Sequence, residues 1–548
     1  TLNNEQKKQA DGSWKTSYAG VGMPIPMEGN WYHGGFFGIT ANGKPVMITD
    51  PKVEVAETGR QGMLDFTWEH PLVTIRARFI AEPGTDHLLF ELRWEPTPEL
   101  KTLSINLVNY PQGFRVSEPD RLQGKTLERH LYTAERDVPQ VQKVTLNLPA
   151  EWWQLYADTV LEKSPTYNPG GPCGLALLPE DVQKATVDIT GYQVSVTAEL
   201  NPTSGRARFI LWDFSGKSIV NAKKLLTEQT PALRERLQRG SWLPTTLTAL
   251  NASAEKTRVE QLGKTLGKPG AAKIAALQQQ IKTLGDLQAA LTGSAKPLKD
   301  EGDLRSALTK YRIAYWQAER PTRQRVRALL LAGPFAYTWK IEPAMNLAWG
   351  SDSVKRGGYI WKYWAGHFVT YFPSTVEELL GYDVVILADI PQDPLTPDKR
   401  QMLTDFVKWG GGLLTLGGTY MYGSGNWRDS PLEPLLPVQI GGVFDLAPGA
   451  GDARLALTAT GTKRLGTLDK PLGMVPWRHT LILRPGAEVW MTAGKAPFAV
   501  VGKAGDGRVM SILGTGLGEA PAGQTAFWDS PGWPYLLQRM LMYLTTGK

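Results

Sequence analysis

The chain has 548 residues, 42% of them hydrophobic, one cysteine (Cys173) and a formal net charge of +7. That length fits about three domains, and the hydrophobic content excludes a disordered chain. The lone cysteine excludes an intrachain disulfide and a cysteine-ligated zinc site, and no apolar run reaches the ~18 residues of a membrane-crossing helix. No secretory leader is visible. The first residue, Thr1, is not Met, which we read as the mark of a processed, exported form, periplasmic or extracellular in a bacterium.

Residues 1–220 read as β-structure. Val73, Ile75, Ala77 and Phe79 alternate with Thr74, Arg76 and Arg78. Leu88, Phe90, Leu92 and Trp94 keep the same period of two, as do Leu103, Ile105 and Leu107, then Val194, Val196, Ala198 and Leu200. Gly, Pro, Asn and Asp break these runs at short intervals, the pattern of an antiparallel β-sandwich. In architecture it loosely resembles the supersandwich folds of carbohydrate-active proteins. The 19 tryptophans suit either a large β core or flat platforms for sugar rings.

The period changes between 221 and 325. Ile274, Leu277, Ile281, Leu284, Leu287 and Leu291 form an apolar seam, as do Leu304, Leu308, Tyr311 and Tyr315. The spacing predicts a helical hairpin or small bundle. This stretch holds 19 Lys/Arg against 9 Asp/Glu, a local +10, so the rest of the chain carries a small negative charge. A solvated spacer and an arm docking on another subunit, a carbohydrate or an acidic surface both fit. The absence of interleaved aromatic residues argues against nucleic acid.

From 326 to 548 strands and helices alternate. Residues 327–333 form a short apolar run ending in Gly333, 382–389 a second ending on Asp389, and 413–416 a third followed by Gly417, Gly418 and Thr419. A capped short helix after Ser374 or Thr375 and a longer one over 398–409 lie between them. The expected fold is a doubly wound, flavodoxin-like α/β sheet. Multidomain α+β is thus the fold class, with a sandwich over 1–220, helices over 221–325 and an α/β domain over 326–548.

Tyr382-Asp383-Val384 through Asp389, Leu395-Thr396-Pro397, Phe406-Val407 with Gly410 to Gly412, Gly417-Gly418, and the Pro431-Leu432 and Leu435-Leu436-Pro437-Val438 segments resemble class I glutamine-amidotransferase-like domains of bacterial proteins. Gly502 to Val509 and Trp533-Pro534 fit the same group. The resemblance implies a cysteine nucleophile on the turn after the third strand, activated by histidine. That turn is Gly417-Gly418-Thr419-Tyr420 here, Cys173 belongs to the β region, and the later His-x-Glu is absent, His479 being the only histidine beyond the turn. Glutaminase chemistry is not expected, so no catalytic residue is assigned. Related domains in some β-galactosidases serve assembly, which is what the resemblance implies for a domain with a degenerate site.

By topology, Gly333, Phe335, Asp389, Gly418, Thr419 and Tyr420 should line a crevice at the strand ends. Two glycine-rich aromatic clusters, Trp31 to Phe37 with His33 and Trp361 to Phe372 with Trp364 and His367, read as loops that contact a partner or as core. The six histidines form no metal spacing, and neither a metal nor a cofactor is implied. Glu28, Glu69, Glu151, Asp158 and Asp213 are the acids nearest aromatic residues in the β region. The sequence thus points to a non-catalytic structural or binding protein, homo-oligomeric and exported. The alternative is a carbohydrate-active enzyme, a glycoside hydrolase or lyase, acting from the β region or its junction with the α/β domain.

Overall fold

The computed structural model describes residues 2–547 apart from 9–13, 22–36, 48–50, 60, 112–127, 140–141, 163–170, 191–192, 215, 241, 292–293, 295, 363–365 and 450–452. Trp31, His33, Trp364 and Glu28 therefore lie outside the described residues. The chain is mixed α+β and divides into two compact units, Thr1–Leu250 with Gln288–Asp303, and Asn251–Leu287 with Leu304–Lys548. In this division residues 221–250 and 288–303 fall in the first unit, and 251–287 and 304–325 in the second.

In the first unit a nine-stranded antiparallel sheet runs from Asp137–Pro139 at one edge to Lys52–Glu57 at the other, and a six-stranded sheet from Gln142–Thr145 to Lys44–Pro45. Alternation decides which side chains enter the core. Val73, Ile75, Ala77 and Phe79 join Leu103, Ile105 and Leu107 of the smaller sheet in one buried cluster. Phe79 and Phe90 face each other across neighbouring strands, their rings stacked at 4.8 Å.

The opposite side of the larger sheet is also covered. The Ile219–Arg239 helix starts at Ser218, whose side chain accepts the Asn221 N–H. Its Ile219, Ala222, Leu226 and Leu237 pack with Ile80, Leu89, Ile210 and Trp212. Arg208 pairs with Asp181 at 2.7 Å and donates to the Leu237 carbonyl at 2.5 Å, satisfying one carbonyl of the last helical turn. The polar half of the alternating pattern is therefore buried in places, with Arg78, Asp65 and Glu91 essentially inaccessible, as is Glu301 of the Pro297–Glu319 helix.

The second unit is built on five parallel strands in the order Val354–Lys362, Ala328–Ala332, Val384–Ala388, Gly412–Gly417, Gly507–Thr515. Antiparallel strands extend both edges, Gly366–Val369 at one and Ala496–Ala504, Glu488–Ala493 and Leu455–Leu457 at the other. The central strands are apolar throughout because helices cover both faces. Leu403, Phe406 and Val407 of Pro397–Lys408 cover one face. Leu536, Leu537, Met540 and Leu541 of Trp533–Thr546 cover the other. The Val376–Leu379 helix carries a reciprocal cap, with Thr375 accepting the Glu378 N–H and Glu378 accepting the Ser374 N–H. The loop expected over the second aromatic cluster is corrected in part. Trp361 and His367 sit in register with each other on the antiparallel hairpin formed by Val354–Lys362 and Gly366–Val369.

Candidate functional site

Three strand ends converge at the carboxyl edge of the parallel sheet. Ala332, Ala388 and Leu416 are register partners, so the residues that follow them, Gly333, Asp389 and the Gly417-Gly418 pair, come together. Gly333 donates its N–H to the Ala388 carbonyl at 2.8 Å, and Asp389 donates to the Leu416 carbonyl at 3.1 Å. A Cβ on Gly333 would overlap the Asp389 carbonyl oxygen, and a Cβ on Gly418 would overlap the Asp389 carboxylate. The two glycines are thus required by close approach.

Asp389 is the most strained of these residues. Its φ is 47°, in the left-handed region that only Gly, Asn and Asp visit readily. Its side chain is 1% exposed; Oδ1 accepts the Tyr420 N–H at 2.7 Å, and Oδ2 is buried without a hydrogen-bond partner. Burial pushes the carboxyl up to about 7, outweighing the backbone N–H groups of Tyr420 and Phe335 that favour the charged form. Phe335 and Tyr420 flank the carboxyl with their rings parallel to within 9° and centroids 6.4 Å apart, each more than a third exposed. All six crevice residues read from topology are therefore drawn to one end of the sheet.

The turn after Gly412–Gly417 is braced by a pair that sequence reasoning missed. His479 is fully buried; its Nε2 accepts the Gly418 N–H at 3.1 Å, and its Nδ1 lies 3.0 Å from Asp445 Oδ1. With Nε2 accepting, the proton sits on Nδ1 and is donated to Asp445. Asp445 Oδ2 in turn accepts the Gly423 N–H at 3.0 Å, and the Tyr422 ring meets the imidazole edge-on at 4.8 Å. No local motif announces His479, which ends the three-residue strand Trp477–His479; its one signal is its position as the last histidine of the chain.

This pairing has the order of a nucleophile–histidine–acid relay, with the nucleophile's place taken by backbone. The Nε2 lone pair that would accept a proton from a thiol or hydroxyl is occupied by an amide. A Cβ on Gly417 would overlap the Gly514 carbonyl oxygen and stand 2.7 Å from His479 Cδ2, so a side chain cannot be added there without rebuilding the turn. Cys173 is buried in the first unit, where burial holds its thiol well above the usual range and makes it a poor nucleophile. What remains is a turn closed to a side-chain nucleophile, with the buried Asp389 carboxyl bonded to its Tyr420 N–H.

Residues 342–545 match the family model described as "Putative glutamine amidotransferase". The amidotransferase-like resemblance read over 326–548 is therefore shown for this C-terminal part, about two fifths of the chain. A search of curated proteins finds no match. Among solved structures, cytoplasmic protein STM1381 from Salmonella typhimurium LT2 is 17% identical, covering 40% of this chain and 99% of that one with a TM-score of 0.32. Cytoplasmic protein STM3548 from Salmonella typhimurium is 16% identical over 39% of this chain and 98% of that one, TM-score 0.31. An alpha-galactosidase from Lactobacillus brevis is 8% identical over 75% of this chain and 53% of that one, TM-score 0.21.

Among the described residues no helix is long and apolar enough to cross a membrane, and no three His, Cys, Asp or Glu side chains are grouped to hold a metal ion. Of the contact candidates, Trp361 is 59% exposed, and His367 is exposed with Nδ1 2.5 Å from the Tyr359 hydroxyl.

The Asp389 carboxyl predicts a pH dependence. Its folded pKa, about 7, lies above the ordinary 3.8, so the fold favours the protonated form. The associated stability is fully present below about pH 4 and is lost as pH rises through 7. Asp389→Asn keeps the Tyr420 hydrogen bond and tolerates the left-handed backbone. Relative to the parent, it should gain on the order of 2–4 kcal/mol between pH 4 and pH 8, read from urea unfolding at each pH. A pH-independent difference would show that Asp389 does not titrate in this range.

Proposed function

We propose that this protein is a non-catalytic binding protein in which the amidotransferase-like part is a scaffold with a retained crevice. The observation that carries this reading is the Gly417-Gly418 turn, where neither position accommodates a Cβ and the histidine base is bonded to backbone. The part-exposed rings of Phe335 and Tyr420, beside the Asp389 turn, are the surface that would receive a ligand. A doubly wound, flavodoxin-like sheet and a supersandwich-like first unit are the architectural part of the reading.

Self-association belongs to the same proposal. Trp361 stands 59% exposed on a hairpin at the sheet edge, where its apolar ring offers a surface to a second copy. Light scattering at micromolar concentration should give a homo-oligomer, and a clean monomer would remove this part. The exported location is tested separately by cell fractionation.

Purified protein incubated with glutamine should release no ammonia above the level of a His479→Ala variant. Ammonia release that this substitution abolishes would overturn the non-catalytic reading. The carbohydrate-active alternative needs two carboxylates facing each other across a cleft. Three of the acids read for it are engaged or exposed. Glu151 is bound by Arg136, Thr133 and the Asn147 N–H, Asp158 pairs with Arg129 at 3.1 Å, and Glu69 lies exposed on its strand.

A further inference from the structure

The amino-terminal end of the same parallel sheet carries a second cavity, remote in topology from the crevice. Arg325 and Arg327 precede the Ala328–Ala332 strand, and Ser353 precedes its parallel neighbour Val354–Lys362, with Ala328 and Val354 in register. These residues, with Arg258, Arg323 and Trp349, line an open cleft of about 650 Å³. Four arginines face two acids there, Glu319 and Asp352. Glu319 is already held by Arg323 at 2.6 Å, and Arg323 also reaches Asp383 at 2.6 Å. Arg258 is held by Glu255 at 3.3 Å.

The guanidinium groups of Arg325 and Arg327 have no carboxylate partner among the described residues. Burial first, and next the neighbouring Arg323, lower the Arg327 pKa, against the opposing pull of Asp383 and Glu319. Ser353 adds an independent sign. It is 4% exposed, its Oγ is buried without a hydrogen-bond partner, and it lines this cleft. A buried hydroxyl left unpaired costs roughly 1–3 kcal/mol, which a ligand acceptor would recover. Trp349 closes one side with a half-buried ring.

We propose that this cleft binds the phosphate group of a small anionic molecule. Arg325 and Arg327 supply paired N–H donors that match the spacing of phosphate oxygens, Ser353 supplies a hydroxyl donor, and Trp349 supports an apolar or ring portion. The volume exceeds what a lone phosphate fills, so the natural ligand carries a body as well as a charge. Three of the four arginines fall within the basic stretch 221–325, which gives that local charge a specific use.

Calorimetric titration of the full chain with inorganic pyrophosphate and with ADP tests the proposal. At least one of them should bind saturably below about 1 mM, and still do so at ~0.15 M salt, where diffuse surface attraction is screened. The double variant R325Q/R327Q should weaken binding at least about tenfold, and S353A about threefold to tenfold, with unchanged circular dichroism and melting temperature. Neither side chain of the double variant holds an ion pair in the fold, so the variant is expected to fold. Failure of both probes to bind below about 1 mM, or equal binding by R325Q/R327Q and the parent, would overturn it. Neither result bears on the crevice at the opposite sheet end.

Discussion

Gly333→Ala should destabilise the second unit by at least about 4 kcal/mol, and Gly418→Ala by about 2–4 kcal/mol. The two differ because of what the new methyl meets. At residue 333 it overlaps the Asp389 carbonyl oxygen, a backbone atom fixed by the paired strands, so only the strands themselves can yield. At residue 418 it overlaps Oδ1, Cγ and Cβ of the Asp389 side chain, which mutation can remove. Asp389→Gly suits the φ of 47° at that position, and although it forfeits the Tyr420 hydrogen bond it clears the space. The double variant D389G/G418A should therefore recover at least about 1.5 kcal/mol relative to additivity, whereas D389G/G333A should not. Urea unfolding, with amide exchange of residues 384–420 to locate the loss, gives the six free energies of the two cycles. An additive D389G/G418A cycle would show that the turn, and not the carboxyl beneath it, sets the requirement for glycine.

That contrast also shows how the site was and was not legible in the sequence. Gly333, Asp389 and Gly418 could be placed together because each ends an apolar run, and the ends of parallel neighbours must lie side by side. The brace behind them could not. His479 and Asp445 are 34 residues apart, outside the parallel strands, and meet only because the Leu446–Pro448 and Trp477–His479 strands pair and carry Asp445 to the imidazole. The Val354–Lys362 strand escaped notice for a related reason. Its Gly357 and Gly358 and its charged residues hide it from an apolar-run search, and it takes its place by pairing with Ala328–Ala332. In the first unit the period of two located the strands correctly, yet it treats every polar position as outward-facing. Whether water or a helix covers that face is decided by residues more than a hundred positions away.

Arg78 is where that cover matters most. Its Nε and Nη2 donate to the two oxygens of Asp65 at 2.7 Å, Nη2 also reaches Glu301 at 2.6 Å, and Nη1 donates to the Trp242 carbonyl. Burial acts to lower its pKa, but the Asp65 hydrogen bonds and the neighbouring carboxylates outweigh it, so the charge is held more firmly than in water. Arg76, 2.8 Å from the other Glu301 oxygen, shifts the other way because burial and Arg78 dominate there. Removing Arg78 alone takes the bidentate guanidinium from Asp65 and one of the two paired arginines from Glu301. Arg78→Ala should therefore cost about 3–5 kcal/mol, far more than an exposed ion pair. Replacing the charged pair together, as D65L/R78M, removes the uncompensated carboxylate and fills its space with apolar volume. It should retain most of the parent stability, because a buried ion pair is held in place mainly by the penalty for breaking half of it. Urea unfolding of the two variants, with amide exchange of residues 62–96 to report on the first unit, distinguishes the cases. Equal losses in the single and double variants would show that Arg78 acts through Glu301 and the Trp242 carbonyl, binding the segments that carry them to the sheet, and not through Asp65.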